Sequence, residues 1–251
     1  MKLRLRFTLL LLFLYANISA YTPKVDAFLQ QYRKAASNET GLKALLDFCG
    51  EYKTYPYDTL KKYASEAVLL SRRLQNENLE FVSKFWKATY FYRTSQLDSA
   101  FYICKQLEKS SHRDVSLDRK NHLLISSILI KKGQNQEAIS RYFTLLEESD
   151  IHNDTLSYLS AMHGLGWANM EIQRTDEAKK WLLSVLNLPA SSIWEEVKIP
   201  SYINLSVIYG MQNNLDSANV LIQKAIDLSV KFNNLLNEAN SYNILANIYS
   251  A

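Results

Sequence analysis

Histidines, cysteines and carboxylate pairs are the side chains of this sequence whose types could support catalysis or metal binding. His112, His122, His152 and His163 show no His-Glu-x-x-His spacing, the arrangement that sets two imidazoles on one helical face for zinc. Cys49 and Cys104 are far apart, and the two do not complete a zinc set with the scattered histidines. Glu147-Glu148 and Glu195-Glu196 are adjacent pairs. Neighbours on a helix point in different directions, so neither pair is poised to share a proton. Gly164-Leu165-Gly166 has the look of a phosphate loop, but it follows no strand and falls inside a helical pattern, where packing explains it. The 16 tyrosines could suggest sugar or base stacking, but packing is the better account of many of them. No catalytic set, no metal site and no cofactor are expected, and the chain is not expected to be an enzyme.

The elements that carry these residues are helices. A chain of 251 residues with 47% apolar content, 6 Gly and 4 Pro can bury a sizeable core and has few breakers. Residues 1–20 read as a cleaved secretory signal: Lys2, Arg4 and Arg6 are the basic start, Phe7 to Ala16 the apolar run, and Ile18-Ser19-Ala20 the small-residue exit. That run is too short for the ~20 residues of a spanning helix, and no later segment is apolar for long enough. Export to the periplasm or outside the cell is therefore expected, with cleavage near Ala20. Removing the signal takes away three of the 29 Lys+Arg and none of the 25 Asp+Glu, leaving a formal balance of +1. Nucleic acid, which needs concentrated Lys and Arg, is not an expected partner. Both cysteines lie in apolar helical patterns, where buried thiols are expected, with a disulfide left open by the oxidising compartment.

An internal register organises the chain. Four turns, Gln96-Leu97-Asp98-Ser99-Ala100, Gln134-Asn135-Gln136-Glu137-Ala138, Arg174-Thr175-Asp176-Glu177-Ala178 and Asn214-Leu215-Asp216-Ser217-Ala218, end in the same alanine at spacings of 38, 40 and 40. With that alanine as position 20, position 8 is Ala88, Ser126, Gly166 and Ser206, always small. Position 24 reads Cys104, Tyr142, Leu182 and Ile222, and position 27 reads Leu107, Leu145, Val185 and Ala225. Leu60, Ala64 and Ala67 continue the frame upstream. Tyr242, Leu245, Ala246 and Tyr249 repeat Tyr202, Leu205, Ser206 and Tyr209 downstream at an offset of 40. Antiparallel helices approach closely only where small residues cross, and the large apolar positions then fill the seam with the next pair.

This pattern resembles the tetratricopeptide repeat, in a long form of about 40 residues against the usual ~34, similar to repeats of bacterial regulators and sensor kinases. HEAT-like helical repeats, with periods of ~40–47, are the alternative fold. The resemblance implies an all-α, right-handed α-solenoid of antiparallel helix pairs, a TPR-like superhelix. Residues 21–40 would form a capping helix, with Thr22 as cap, Pro23 in the first turn, and Val25, Phe28, Leu29 and Tyr32 on one face. Residues 41–238 would form five helix pairs, and 239–251 the first helix of an incomplete sixth. Close packing is expected at Ala67, Ala88, Ala100, Ser126, Ala138, Gly166, Ala178, Ser206, Ala218 and Ala246. Without a partner helix, Leu245, Ile248 and Tyr249 would face water.

The resemblance also implies a binding groove lined by the first helices at positions 2, 5, 9, 12 and 13. These positions bring Tyr52, Lys53, Phe85, Tyr92, Arg93, Lys131, His163, Trp167 and Glu171 to it, with Ile130 beside them. Lys53, Arg93 and Lys131 would form a basic line, fitting a protein or peptide partner with an acidic group. Position 13 also lies near helix C-termini, where cations are favoured whatever the protein binds. The expected function is an exported partner-binding module, the sensory front of a longer envelope signalling protein. The alternative is a self-contained periplasmic or secreted adaptor.

Overall fold

The computed structural model describes residues 22–52, 57–110, 114–149, 154–189 and 192–250. The expected signal 1–20 with its cleavage at Ala20, and Lys53, lie outside these. The described residues form twelve helices and no strand: α1 Thr22–Lys34, α2 Glu39–Tyr52, α3 Tyr57–Arg73, α4 Glu77–Arg93, α5 Leu97–Glu108, α6 Val115–Lys131, α7 Asn135–Glu148, α8 Thr155–Glu171, α9 Thr175–Leu186, α10 Ser192–Met211, α11 Leu215–Lys231 and α12 Leu235–Ser250. None is long and apolar enough to cross a membrane. Two compact units divide within α4, one up to Tyr90 and the other from Phe91.

In the first unit α1 half-buries Phe28, Leu29 and Tyr32, and Tyr32 packs on a cluster of Leu42, Leu45, Leu46, Ala67 and Leu70. The Asn38 side chain accepts from the Gly41 amide, 3.1 Å away, capping α2. A Cβ on Gly41 would collide with the Ala35 carbonyl, so only glycine lets the chain turn this tightly from α1.

In the second unit each helix from α5 to α12 packs on the next, and α6, α8, α10 and α12 are also neighbours of one another in turn. Among the described residues no comparable contact joins α7 to α9 or α9 to α11. First helices therefore form a tight layer, with second helices standing further apart behind it. The alanines Ala100, Ala138, Ala178 and Ala218 are all 0% exposed, as are Ala67, Ala88, Ser126 and Ser206, and Gly166 is buried. A Cβ on Gly166 would lie 2.6 Å from the Leu182 side chain and 3.4 Å from the Ala178 carbonyl, so here the glycine sets the approach of α8 to α9. Positions 24 and 27 are buried in all four of these second helices.

One turn geometry generates the register. Ser95, Gly133, Gln173 and Asn213, each five residues before the repeated alanine, have φ of 58°, 76°, 60° and 58°. The amides of Gln96, Gln134, Arg174 and Asn214 then bond the carbonyls five residues back at 2.8–2.9 Å, the Schellman closure of a helix C-terminus. Gln75 and Asn233 turn α3 into α4 and α11 into α12 in the same way. The long period arises partly from first helices of 17 residues in α4, α6 and α8, about 25 Å each. The rest comes from how second helices hand over. α11 runs 17 residues before a short turn, whereas α5 and α9 stop after 12 and need a longer connection.

Two details differ from the sequence expectation. Ala246 is exposed, because no described helix crosses α12 at that point. Ile248 is only 8% exposed and joins Ile199, Ile203, Ala218 and Ile222, while Leu245 is half-buried and Tyr249 is open at 74%. Ile248 falls where α6, α8 and α10 carry Ile128, Ala168 and Ile208, also buried, so this edge of a first helix faces the preceding pair, which is present.

Candidate partner-binding surface

The surface open to a partner in the second unit is the outward stripe of its first-helix layer. On α8, Ser160, His163, Trp167 and Glu171 recur three to four residues apart, the spacing of one helical face. The rest of α8 is consumed by packing: Leu159, Ala161, Leu165 and Ala168 are 0% exposed, and α6, α7, α9 and α10 surround it. A helix enclosed on so many sides can present only a narrow stripe, which restricts where contacts with a partner can lie.

Within that stripe, the Trp167 indole Nε1 donates to Glu171 Oε1 at 2.9 Å, which fixes the half-buried ring at the layer surface. His163 turns inward, with Nδ1 3.1 Å from Oγ of the fully buried Ser201 on α10. Burial pulls its pKa down to about 4, so the imidazole is neutral at pH 7.

Lys131 ends α6 with its ammonium 4.2 Å from the centroid of the Tyr92 ring, a cation–π contact. The residue is exposed overall, but partial burial of the ammonium against the ring holds its pKa below the usual lysine value. Among the described residues it has no carboxylate partner. Burial pushes the Tyr92 phenol up to about 12, against the opposing effect of a hydrogen bond with Ser127. Ser127 is also 3.1 Å from the hydroxyl of the fully buried Tyr142. This chain links the ring under Lys131 to the core. The Tyr142 ring in turn lies where a Cβ on Gly164 would be, so the first glycine of Gly164-Leu165-Gly166 receives a neighbour's aromatic ring.

Arg93 and Tyr92 are half-buried at the end of α4. Ile130 is not part of the surface: it is 4% exposed, because α6 packs against α5, α7 and α8 together and its Ile128-Leu129-Ile130 run is enclosed. In the first unit Phe85 is half-buried, with its ring edge-on to Trp86 at 5.3 Å, and Tyr52 lies at the end of α2. Sequence reasoning missed the Tyr92–Ser127–Tyr142 chain and the inward turn of His163, because both depend on partners in other helices. It also missed the exposed Tyr102, Phe143, Leu183 and Val220 on the second helices. Only the helical spacing of apolar residues could have flagged those four.

Cys49 and Cys104 are buried free thiols, and burial raises each pKa to about 12, which leaves them protonated and unreactive. No group of three His, Cys, Asp or Glu among the described residues could hold a metal ion. A scan against models of known protein families finds none that matches this chain, and a search of curated proteins finds no match.

Proposed function

We propose that this chain is an exported helical-repeat module that binds a protein or peptide partner along the first-helix layer of its second unit, contacting an acidic group of that partner through Lys131. The observation that carries this reading is the Lys131 ammonium, held over Tyr92 at 4.2 Å with no carboxylate to neutralise it among the described residues. An ion already sheltered against a ring loses less hydration on meeting a carboxylate than a free lysine does. Trp167, braced by Glu171, supplies the aromatic anchor of the kind that dominates interface energies. The closely spaced first helices support a groove of the tetratricopeptide type, and the basic–apolar–small leader supports export.

Selection of random peptides against the purified protein tests the proposal. Enriched peptides are expected to carry Asp or Glu. Lys131→Glu and Trp167→Ala are each expected to weaken those peptides about tenfold or more while circular dichroism stays helical. Enriched peptides without acidic residues, or affinities unchanged by Lys131→Glu, would overturn it.

A further inference from the structure

We infer that the cleft between α9 and α11, on the second-helix side of the second unit, docks a partner segment that inserts an aromatic side chain next to a basic residue. Three successive seams between second helices carry the inference, compared at the same two register positions: the fifth residue after the repeated alanine of one helix and the third after that of the next. Between α5 and α7 these are Lys105 and Arg141, and Glu108 joins them, pairing with the Lys105 ammonium and with Arg141 Nη1 at 2.8 Å. Between α7 and α9 they are Phe143 and Trp181, whose rings meet edge to face with centroids 5.8 Å apart. Between α9 and α11 they are Leu183 and Leu221, and this seam stays open. The two leucines line a cleft of about 380 Å³ with Val220, Ser217, Asp216 and, from α10, Tyr209.

Side-chain size explains the opening, since leucine at both positions omits the ring area that Phe143 and Trp181 bring to the preceding seam. The floor differs as well. Nine residues before the repeated alanine, the first helices behind the other two seams carry Leu129 and Asn169, both buried, whereas Tyr209 is half-buried and lines the cleft. Val220 at the rim is 71% exposed. Elsewhere the molecule closes such a seam with an ion pair or with rings, and walls of Leu183, Leu221 and Val220 suit a ring. An apolar cavity of about 150 Å³ already holds benzene, so the cleft has room for a Phe or Tyr ring and the stem of its neighbour. The rim then selects charge. Asp216 is exposed and makes no ion pair among the described residues. On α9, Lys179 is turned onto the Tyr209 ring, 4.5 Å from its centroid, and onto Gln212 Oε1 at 3.2 Å, while Lys180 pairs with Glu177 at 3.9 Å. A basic residue beside the inserted ring therefore meets an unpaired carboxylate. This site lies behind the first-helix surface of Lys131 and Trp167 and has the opposite charge preference.

Methyl NMR of the purified protein titrated with N-acetyl-phenylalanyl-arginine amide tests the inference. Saturable shifts are expected at the methyls of Leu183, Val220 and Leu221. The alanyl-arginine amide is expected to bind about tenfold more weakly, through loss of ring burial, and the phenylalanyl-glutamine amide about threefold more weakly, through loss of an exposed ion pair. An acidic residue is favoured in a first helical turn whatever the cleft binds, so Asp216→Asn is read by the arginine-over-glutamine preference, which it is expected to erase with circular dichroism unchanged. Leu183→Phe/Leu221→Trp transplants the ring pair of the preceding seam and is expected to abolish the shifts. Val220→Lys, at an exposed position where folding is not at stake, is expected to weaken binding as well. Lys131→Glu is expected to leave the shifts intact, which separates this site from the first-helix surface. Absence of saturable shifts at these methyls, or equal affinity for the phenylalanyl and alanyl amides, would overturn the inference. So would tighter binding of the phenylalanyl-glutamate amide, which would assign the cleft to an acidic partner held by Lys179.

Discussion

Helices α8 and α12 stand at the same place in the register and meet opposite fates. α8 has α6, α7, α9 and α10 around it, and its Gly166 lies so close to Leu182 that a methyl group would not fit without movement. α12 has α10 and α11 alone among the described helices, and its Ala246 is open. A small residue at the crossing position therefore permits a close approach but does not create one. The energetic value of that position resides in the helix that arrives.

The largest expected effect turns on this contrast. Ala178→Asp puts a carboxylate at a fully buried crossing between α8 and α9, beside Gly166 and packed with Leu182, Leu205 and Ile208, in an apolar and tightly filled place. It is expected to cost about 4 kcal/mol or more, enough to lose the folded state in urea titration. Ala246→Asp makes the same chemical change at an exposed site and is expected to shift monomer stability by no more than about 0.5 kcal/mol. Equal losses at both positions would show that the register is stabilised by something other than the crossing helix.

What could be read from the sequence follows the same division between local and distant causes. The repeated alanine, the small position before it and the turn between them lie within about thirty residues, so helix periodicity and one turn geometry suffice to place Ala138, Ala178 and Ala218. The burial of Ile248 was not readable in this way, because it is covered from the preceding pair of helices, and Ile130 is buried on a helix that packs against α5, α7 and α8 together. Nor was the role of Gly164, whose neighbour Tyr142 belongs to the preceding second helix. Pro200 would argue for a break, yet it lies inside the 20-residue α10. Lys198 is 5% exposed and donates to the carbonyls of Leu186 and Leu188 at and just past the end of α9, partners that its place in the sequence does not announce. On the candidate surface, Trp167 and Glu171 were expected only through the resemblance to tetratricopeptide repeats. The Lys131–Tyr92 contact required knowing how the end of α4 meets the end of α6.

His163 offers an intermediate effect, specific to the enclosed helix. Its pKa in the folded protein is about 4, below the ordinary histidine value of 6.5, because burial disfavours the charged ring. The unfolded chain therefore binds the proton more readily. Stability from this group is complete above pH 6.5 and declines as pH falls through 6.5 toward 4, by at most about 3 kcal/mol. Asp154 and Glu108 have carboxyl pKa values held below the usual range by Arg119 and by Lys105 with Arg141, against the opposing effect of burial. Their contribution is lost below that usual range, at the acid edge of the same window. Urea midpoints measured from pH 7 to pH 4.5 are expected to fall for the protein and to flatten in His163→Asn. A slope that survives the substitution would place the titrating group elsewhere.

The smallest expected effect compares the turns that deliver the crossing helices. Gly133 enters the left-handed region at φ 76° before α7, and Gln173 does so at φ 60° before α9. For a residue with a Cβ, that conformation costs roughly 1 kcal/mol through crowding against the following carbonyl. Glycine avoids this cost but loses more backbone freedom on folding. Gly133→Ala is therefore expected to destabilise by about 1 kcal/mol, and Gln173→Gly to stabilise by somewhat less, since the entropy of the new glycine offsets part of the relief. Thermal unfolding of the two variants against the parent reads both signs. Gln173→Gly would fail to stabilise only if the Gln173 side chain makes a contact worth as much as the backbone strain it tolerates, which would mean that the turn before α9 is held by its side chain as well as by its amide bonds to Met170 and Asn169.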